Sequence, residues 1–164
     1  MFNTILIANR GEIACRVIRT ARQMGIKTVA VYSEADQNAL HVDMASDAVL
    51  IGPPPAAESY LLIDAIMEAI EESGADAVHP GYGFLSENAE FAERLKEADI
   101  TFIGPGPEAM RVMGDKIASK LFAEKAGVPT VPGHAAPVTS VADAKKIATK
   151  VGYPVILKAS AGGG

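Results

Sequence analysis

The chain has 164 residues and a formal net charge of −5, and 49% of its residues are hydrophobic. That composition suits one buried core, with room for part of a second domain, and excludes a disordered chain. The acidic balance, with 15 Lys and Arg spread along the chain in no basic block, argues against a nucleic-acid footprint, and a single cysteine, Cys15, excludes an internal disulfide and a thiolate metal cluster.

Strand and helix signals alternate from the start. "TILIAN" (Thr4–Asn9) is a short apolar run that predicts a buried strand. In "RGEIACRVIRTARQMG", Ile13, Val17, Ala21 and Met24 recur at helical spacing, and Gly25 stands where a helix-ending glycine belongs. "KTVAVYS" and "DAVLIG" predict a second and a third strand. "SYLLIDAIMEAIEESG" predicts a helix with Ile63, Ile66 and Ile70 on one face, closed by Gly74. "DAVHPG" reads as a fourth strand, "NAEFAERLKEAD" as a helix and "TFIGP" as a fifth strand. Such βαβ alternation predicts an α/β fold, a doubly wound parallel sheet with helices on both faces, over residues 1–113.

The pattern then changes. "MGDKIASKLFAEKAG" predicts a helix capped by Asp115 and stopped by Gly127, followed by the Pro-rich "VPTVPGHAAPVTS". Residues 114–130 are read as connecting helix and linker. "SVADAKKIATKVG" predicts a further helix and "YPVILKAS" a further strand, ahead of three glycines. Residues 131–164 therefore read as the opening of a second, incomplete domain. "MFNTILIANR" lacks the basic start of a signal peptide. No run approaches the length of a membrane span. With one thiol, the expected setting is cytoplasmic, or an organelle matrix after processing.

Four stretches could carry chemistry. The turn "ANRGEIACR" lies after the first strand, where doubly wound sheets bind ligands, but its lone Gly11 does not meet the G-x-G-x-x-G pattern of dinucleotide sites. Arg10 and Glu12 there are either a surface ion pair or a polar strand end facing a cleft or interface. In "HPGYGFLSEN", glycines flank Tyr82, so the backbone can turn sharply and approach a ligand closely. Ser86 is a candidate cap for the next helix, and Glu87 suits its first turn. The plain alternative is a tight strand-to-helix connection. His79, with no second histidine near it, is a poor metal candidate. Lys116 stands in the first turn of a helix, against the macrodipole, which suits an anion shared with free N–H groups or an exposed side chain. Lys158 interrupts an apolar strand just before Gly162, Gly163 and Gly164, whose N–H groups could form an anion-binding nest or a flexible linker. The Walker pattern G-x-x-x-x-G-K-[ST] is absent.

The strings "IANRGEIACRVIRTAR", "HPGYGFLSEN", "FIGP", "MGDK" and "GYPVILKASAGGG", in this order, closely resemble the N-terminal part of biotin carboxylase. That family serves the acetyl-, propionyl- and methylcrotonyl-CoA carboxylases and pyruvate carboxylase. The resemblance spans the whole chain. It implies a pre-ATP-grasp, Rossmann-like domain followed by the start of an ATP-grasp module. It also implies a ligase that uses ATP, Mg2+ and bicarbonate to carboxylate carrier-bound biotin by way of carboxyphosphate. By the same resemblance, Lys116 and Lys158 contact ATP and the loop at Gly162, Gly163 and Gly164 folds over its phosphates. Tyr82 and Gly83 lie near the bicarbonate and biotin pocket, and Arg16 and Arg19 near a homodimer interface. The implied partners are a biotin carboxyl carrier domain and a carboxyltransferase component, with no nucleic acid and no membrane.

In the family the magnesium ligands, the base that activates bicarbonate and the arginine that steadies biotin all follow the glycine loop. The expectation is that every catalytic group lies beyond Gly164 and that these 164 residues alone do not catalyse. "IGPPPAAESY" leans toward the propionyl- and methylcrotonyl-type subunits. Two other readings compete: a stand-alone dimerisation or interaction module built on the "RGEIACRVIRTAR" helix, and a different ATP-grasp ligase, which would want another string in place of "HPGYGFLSEN".

Overall fold

The structure is a computed structural model that describes residues 2–114, 116–131, 133–134 and 136–157. Five strands, β1 (Thr4–Ile7), β2 (Lys27–Tyr32), β3 (Asp47–Leu50), β4 (Ala77–His79) and β5 (Thr101–Phe102), form one sheet in the order β3-β2-β1-β4-β5. Every neighbouring pair is parallel. Helices α1 (Gly11–Gln23), α2 (Leu40–Met44), α3 (Ile63–Ser73) and α4 (Ala89–Glu97) lie between the strands, and α5 (Pro107–Gly114) follows them. The expected doubly wound sheet is present. From β1 the chain builds outward through β2 and β3, then returns to add β4 and β5 on the other side. The direction of winding therefore reverses between β1 and β4.

The sheet is buried on both faces because its central strand is apolar on both. Leu6 and Ala8 point to one side, where they meet Ile66, Ala69 and Ile70 of α3 and Phe91 and Leu95 of α4. Ile5 and Ile7 point to the other side and meet Ala14, Ile18 and Ala21 of α1. That is the period-two alternation of a strand used on both faces. Each fully buried Leu, Ile or Phe side chain here contributes roughly 1.5–3 kcal/mol.

Several local details depart from the sequence reading. Met24 is not on the buried face of α1; it is 55% exposed, beside Gly25 in the left-handed region. The short α2 was not foreseen, because five residues are too few to show a helical period. Nor was α5, which opens on Pro107, a position where a missing N–H costs nothing. Ser86 does not cap α4. Asn88 does, its side chain accepting from Phe91 N at 2.9 Å, while Ser86 N closes a turn onto Gly83 O at 2.9 Å. Two left-handed residues, Gly83 and Phe84, delay the helix start by that turn.

Packing divides the chain within α5, into Met1–Met110 and Arg111–Gly164. In the second unit α6 (Lys116–Lys125) ends just before Gly127, which is left-handed. There α7 (Val141–Val151) is capped by Ser140, whose Oγ accepts from Asp143 N at 3.1 Å and donates to the Asp143 carboxylate at 2.8 Å. The strand expected over "YPVILKAS" is not formed among the described residues. Residues 155–157 have no ladder, and Ile156 and Leu157 are exposed. A strand is a pairing rather than a run of residues, and this unit holds no other strand among the described residues. No helix among the described residues is long and apolar enough to cross a membrane.

Candidate functional site

The loops that follow β1, β2, β3 and β4 meet along the carboxyl edge of the sheet, where doubly wound folds place their ligands. At the winding reversal, β1 ends and Asn9 follows, only 4% exposed. Its side-chain amide donates to Pro80 O and to Tyr82 O, both at 2.8 Å, and its Oδ1 accepts from Arg10 N at 2.9 Å. One side chain therefore ties the β1 loop to the β4 loop. Gly81 makes this possible: its φ is +67°, and a Cβ there would stand 2.7 Å from Asn9 Nδ2.

The β4 loop is held at further points. His79 Nδ1 accepts from Gly81 N at 3.0 Å. Burial, with the charge of Arg16 second, pushes the His79 imidazole below its usual range. With Nδ1 committed, this ring offers an Nε2–H donor rather than a base. Phe84 has φ +43°, a strained position for a non-glycine residue. Its ring stacks on Tyr60 with centroids 5.1 Å apart and planes 8° from parallel. Between these anchors Tyr82 is left 61% exposed, with Gly83 at φ +66° beside it. The loop thus presents an aromatic platform on a backbone fixed from both ends.

A second set of side chains supports that platform. Oδ2 of Asp36 accepts from Arg10 Nη1 at 2.8 Å, Tyr60 Oη at 2.7 Å and Ser33 Oγ at 3.1 Å. Tyr60 Oη in turn accepts from Ser33 N at 3.0 Å. The Arg10 guanidinium lies 5.1 Å from the Tyr60 ring centroid and 5.7 Å from that of Phe84, a cation–π geometry. Burial works to raise the Asp36 carboxyl, but the hydrogen bonds from Tyr60, Arg10 and Ser33 outweigh it and hold the group below its usual range. Burial first, and the bond to Asp36 second, push the Tyr60 phenol up to about 12. At neutral pH Asp36 is therefore ionised and Tyr60 is neutral.

The expected site residues divide between the two units. Tyr82 and Gly83 share the carboxyl edge with His79, Asn9 and Arg10. Arg10 forms its ion pair with Asp36 of the β2 loop. Arg16 and Arg19 are exposed on α1. Lys116 is the first residue of α6, in the second unit. Asp115, Lys158, Gly162, Gly163 and Gly164 lie outside the described residues. Among the described residues no group of three or more His, Cys, Asp or Glu could hold a metal ion.

Asn9, Asp36, Tyr60 and Phe84 were not singled out from sequence. Asn9 carried a readable signal, a polar residue directly after a buried strand. Asp36 carried none, since "SEADQN" reads as an ordinary solvated turn.

Residues 1–110 match the family described as "Biotin carboxylase, N-terminal domain", and residues 115–164 match "Carbamoyl-phosphate synthase L chain, ATP binding domain". The chain is 62% identical over all its 164 residues to the propionyl-CoA carboxylase alpha chain of Ruegeria pomeroyi, covering 24% of that protein. It is 60% identical over 163 residues to the human mitochondrial propionyl-CoA carboxylase alpha chain, 99% of this chain and 22% of that one. It is 56% identical to the biotin carboxylase of Halalkalibacterium halodurans, covering 100% of this chain and 36% of that protein. The chain thus spans about a quarter to a third of the length of these relatives. Among solved structures, the biotin carboxylase domain dimer of Hydrogenobacter thermophilus 2-oxoglutarate carboxylase, in complex with MgADP, ADP and bicarbonate, superposes with a TM-score of 0.94 at 53% identity, covering 100% of this chain and 36% of that one. The Campylobacter jejuni biotin carboxylase–β,γ-ATP complex gives 0.94 at 51% identity, covering 100% and 37%.

Proposed function

The chain belongs to the biotin carboxylase N-terminal domain family, and on that premise we propose that it forms the front part of an ATP-dependent biotin carboxylase. The observation that carries this reading is the likeness of the whole chain to a biotin carboxylase domain complexed with MgADP and bicarbonate. The proposed reaction phosphorylates bicarbonate with the γ-phosphoryl group of ATP, giving carboxyphosphate and ADP. The carboxyl group then passes to N1′ of carrier-bound biotin with release of phosphate.

Each site residue has a physical role in this proposal. Lys116 and Lys158 neutralise phosphate charge, and the N–H groups of Gly162, Gly163 and Gly164 cover the phosphates, since phosphoryl transfer asks chiefly for positioning and charge compensation. Tyr82 and Gly83 border the bicarbonate and biotin pocket. Magnesium enters with ATP, and no described residue of this chain is assigned to hold it. Arg16 and Arg19, exposed on α1, are proposed to face a second subunit. The proposed partners are a biotin carboxyl carrier domain and a carboxyltransferase, and the likeness to propionyl-CoA carboxylase alpha chains supports propionyl-CoA as the final acceptor.

The test is bicarbonate-dependent formation of ADP by the full-length protein that carries this chain, with a biotinylated carrier domain present. Lys116→Ala and Lys158→Ala are each expected to raise the KM for ATP. Absence of bicarbonate-dependent ADP from the unmodified protein overturns the whole reading. Unchanged KM and kcat in both variants overturns the assignment of the two lysines alone.

A further inference from the structure

We propose that Asn9 is a positioning residue for biotin, acting through the backbone of Tyr82. The inference rests on the reading of Tyr82 and Gly83 as part of the biotin pocket.

The geometry is specific. Asn9 stands at the winding reversal, where a ligand crevice opens in folds of this kind. Here its side chain bridges the two loops that border that crevice. Both amide protons are used on one segment, at Pro80 O and Tyr82 O, with Gly81 between them. The carbonyl end is fixed by Arg10 N, so the amide orientation is determined by its own partners. Gly81, left-handed and without a Cβ, lets the loop come down onto this amide. Tyr82 itself has an exposed side chain, so its ring is steered by where its backbone is held. On the far side, Phe84 is in a strained conformation and is clamped by Tyr60. A left-handed run of this kind persists only where its surroundings over-determine it. Asn9 supplies that determination on the Pro80–Tyr82 side.

No other residue of the same size satisfies the site. Aspartate can accept from Arg10 N but cannot donate to the two carbonyls. Serine keeps one donor and reaches at most one of them.

The experiment is a double-mutant cycle in the full-length protein, with the biotinylated carrier domain as varied substrate. Asn9→Ala is expected to lower kcat/KM for the carrier by at least about tenfold, the equivalent of two lost buried hydrogen bonds. The KM for ATP is expected to stay within about twofold, because this loop is not assigned to the nucleotide. In the Tyr82→Ala background the same change is expected to have little further effect, since the ring that Asn9 positions through that backbone is gone. Asn9→Ser, which removes less volume, carries the same cycle if Asn9→Ala does not fold. Equal losses for carrier and ATP, or additive effects of the two substitutions, would show Asn9 to be a fold residue only and overturn the proposal. If Tyr82→Ala alone leaves carrier kinetics unchanged, the fault lies with the pocket reading rather than with Asn9.

Discussion

Tyr60→Phe removes one oxygen from a side chain that is 1% exposed, and that oxygen makes two bonds. It donates to Asp36 and accepts from the backbone N–H of Ser33, a residue with no exposed surface. The variant leaves that N–H buried without its acceptor, which costs about 1–3 kcal/mol. Asp36 keeps Arg10 and Ser33 Oγ, so its own loss is partial. The expected destabilisation is about 2–3 kcal/mol. Urea unfolding followed by far-UV circular dichroism measures it, since the chain has no tryptophan to report by fluorescence. The pH dependence provides a second reading. Although burial pulls the other way, the Asp36 carboxyl is held below its ordinary value of 3.8 by its three donors. Its contribution is therefore present above that value and lost as pH falls through the lower folded pKa. The gap between wild type and variant should narrow as pH is taken through that window. A destabilisation under about 0.5 kcal/mol, the range of a neutral surface change, would refute the reasoning.

Three further outcomes are expected. Asn88→Ala should destabilise by about 1 kcal/mol through loss of the α4 cap, whereas Ser86→Ala should change stability by less than about 0.5 kcal/mol; thermal unfolding of the two variants separates them. Gly81→Ala should destabilise by about 1–3 kcal/mol, because it adds strain at positive φ and crowds the Asn9 amide; chemical unfolding measures it. Burial holds the His41 imidazole below its ordinary value of 6.5, against the opposing bond to Val31 O. Its contribution is fully present above that value and is lost as pH falls through the folded pKa. The melting temperature should therefore drop on mild acidification, and His41→Gln should flatten that dependence.

The sheet was legible in the sequence because both of its faces are buried. Runs such as "ILIA" and "VAV" are apolar without interruption, and glycines 25 and 74 mark helix ends by a conformation few other residues adopt. The motif strings likewise carried the family, since a chemical site needs particular residues at particular spacings. The short α2 and the start of α4 were not legible, because a one-turn helix has no period and a cap is chosen by where the preceding loop delivers the chain. Residues 155–157 show the same limit from the other side, an apolar run that forms no strand among the described residues.

The candidate site follows this division. Tyr82 and Gly83 could be found from "HPGYGFLSEN" alone. What holds them could not, because Asn9 is more than seventy residues from the carbonyls it binds, and Arg10, Asp36 and Tyr60 come from three different loops. Local sequence determines which segments become strands and helices, since propensity and periodicity act over a few residues. The order of strands in the sheet determines which loops meet, and only that meeting turns an unremarked asparagine into the amide that fixes the loop.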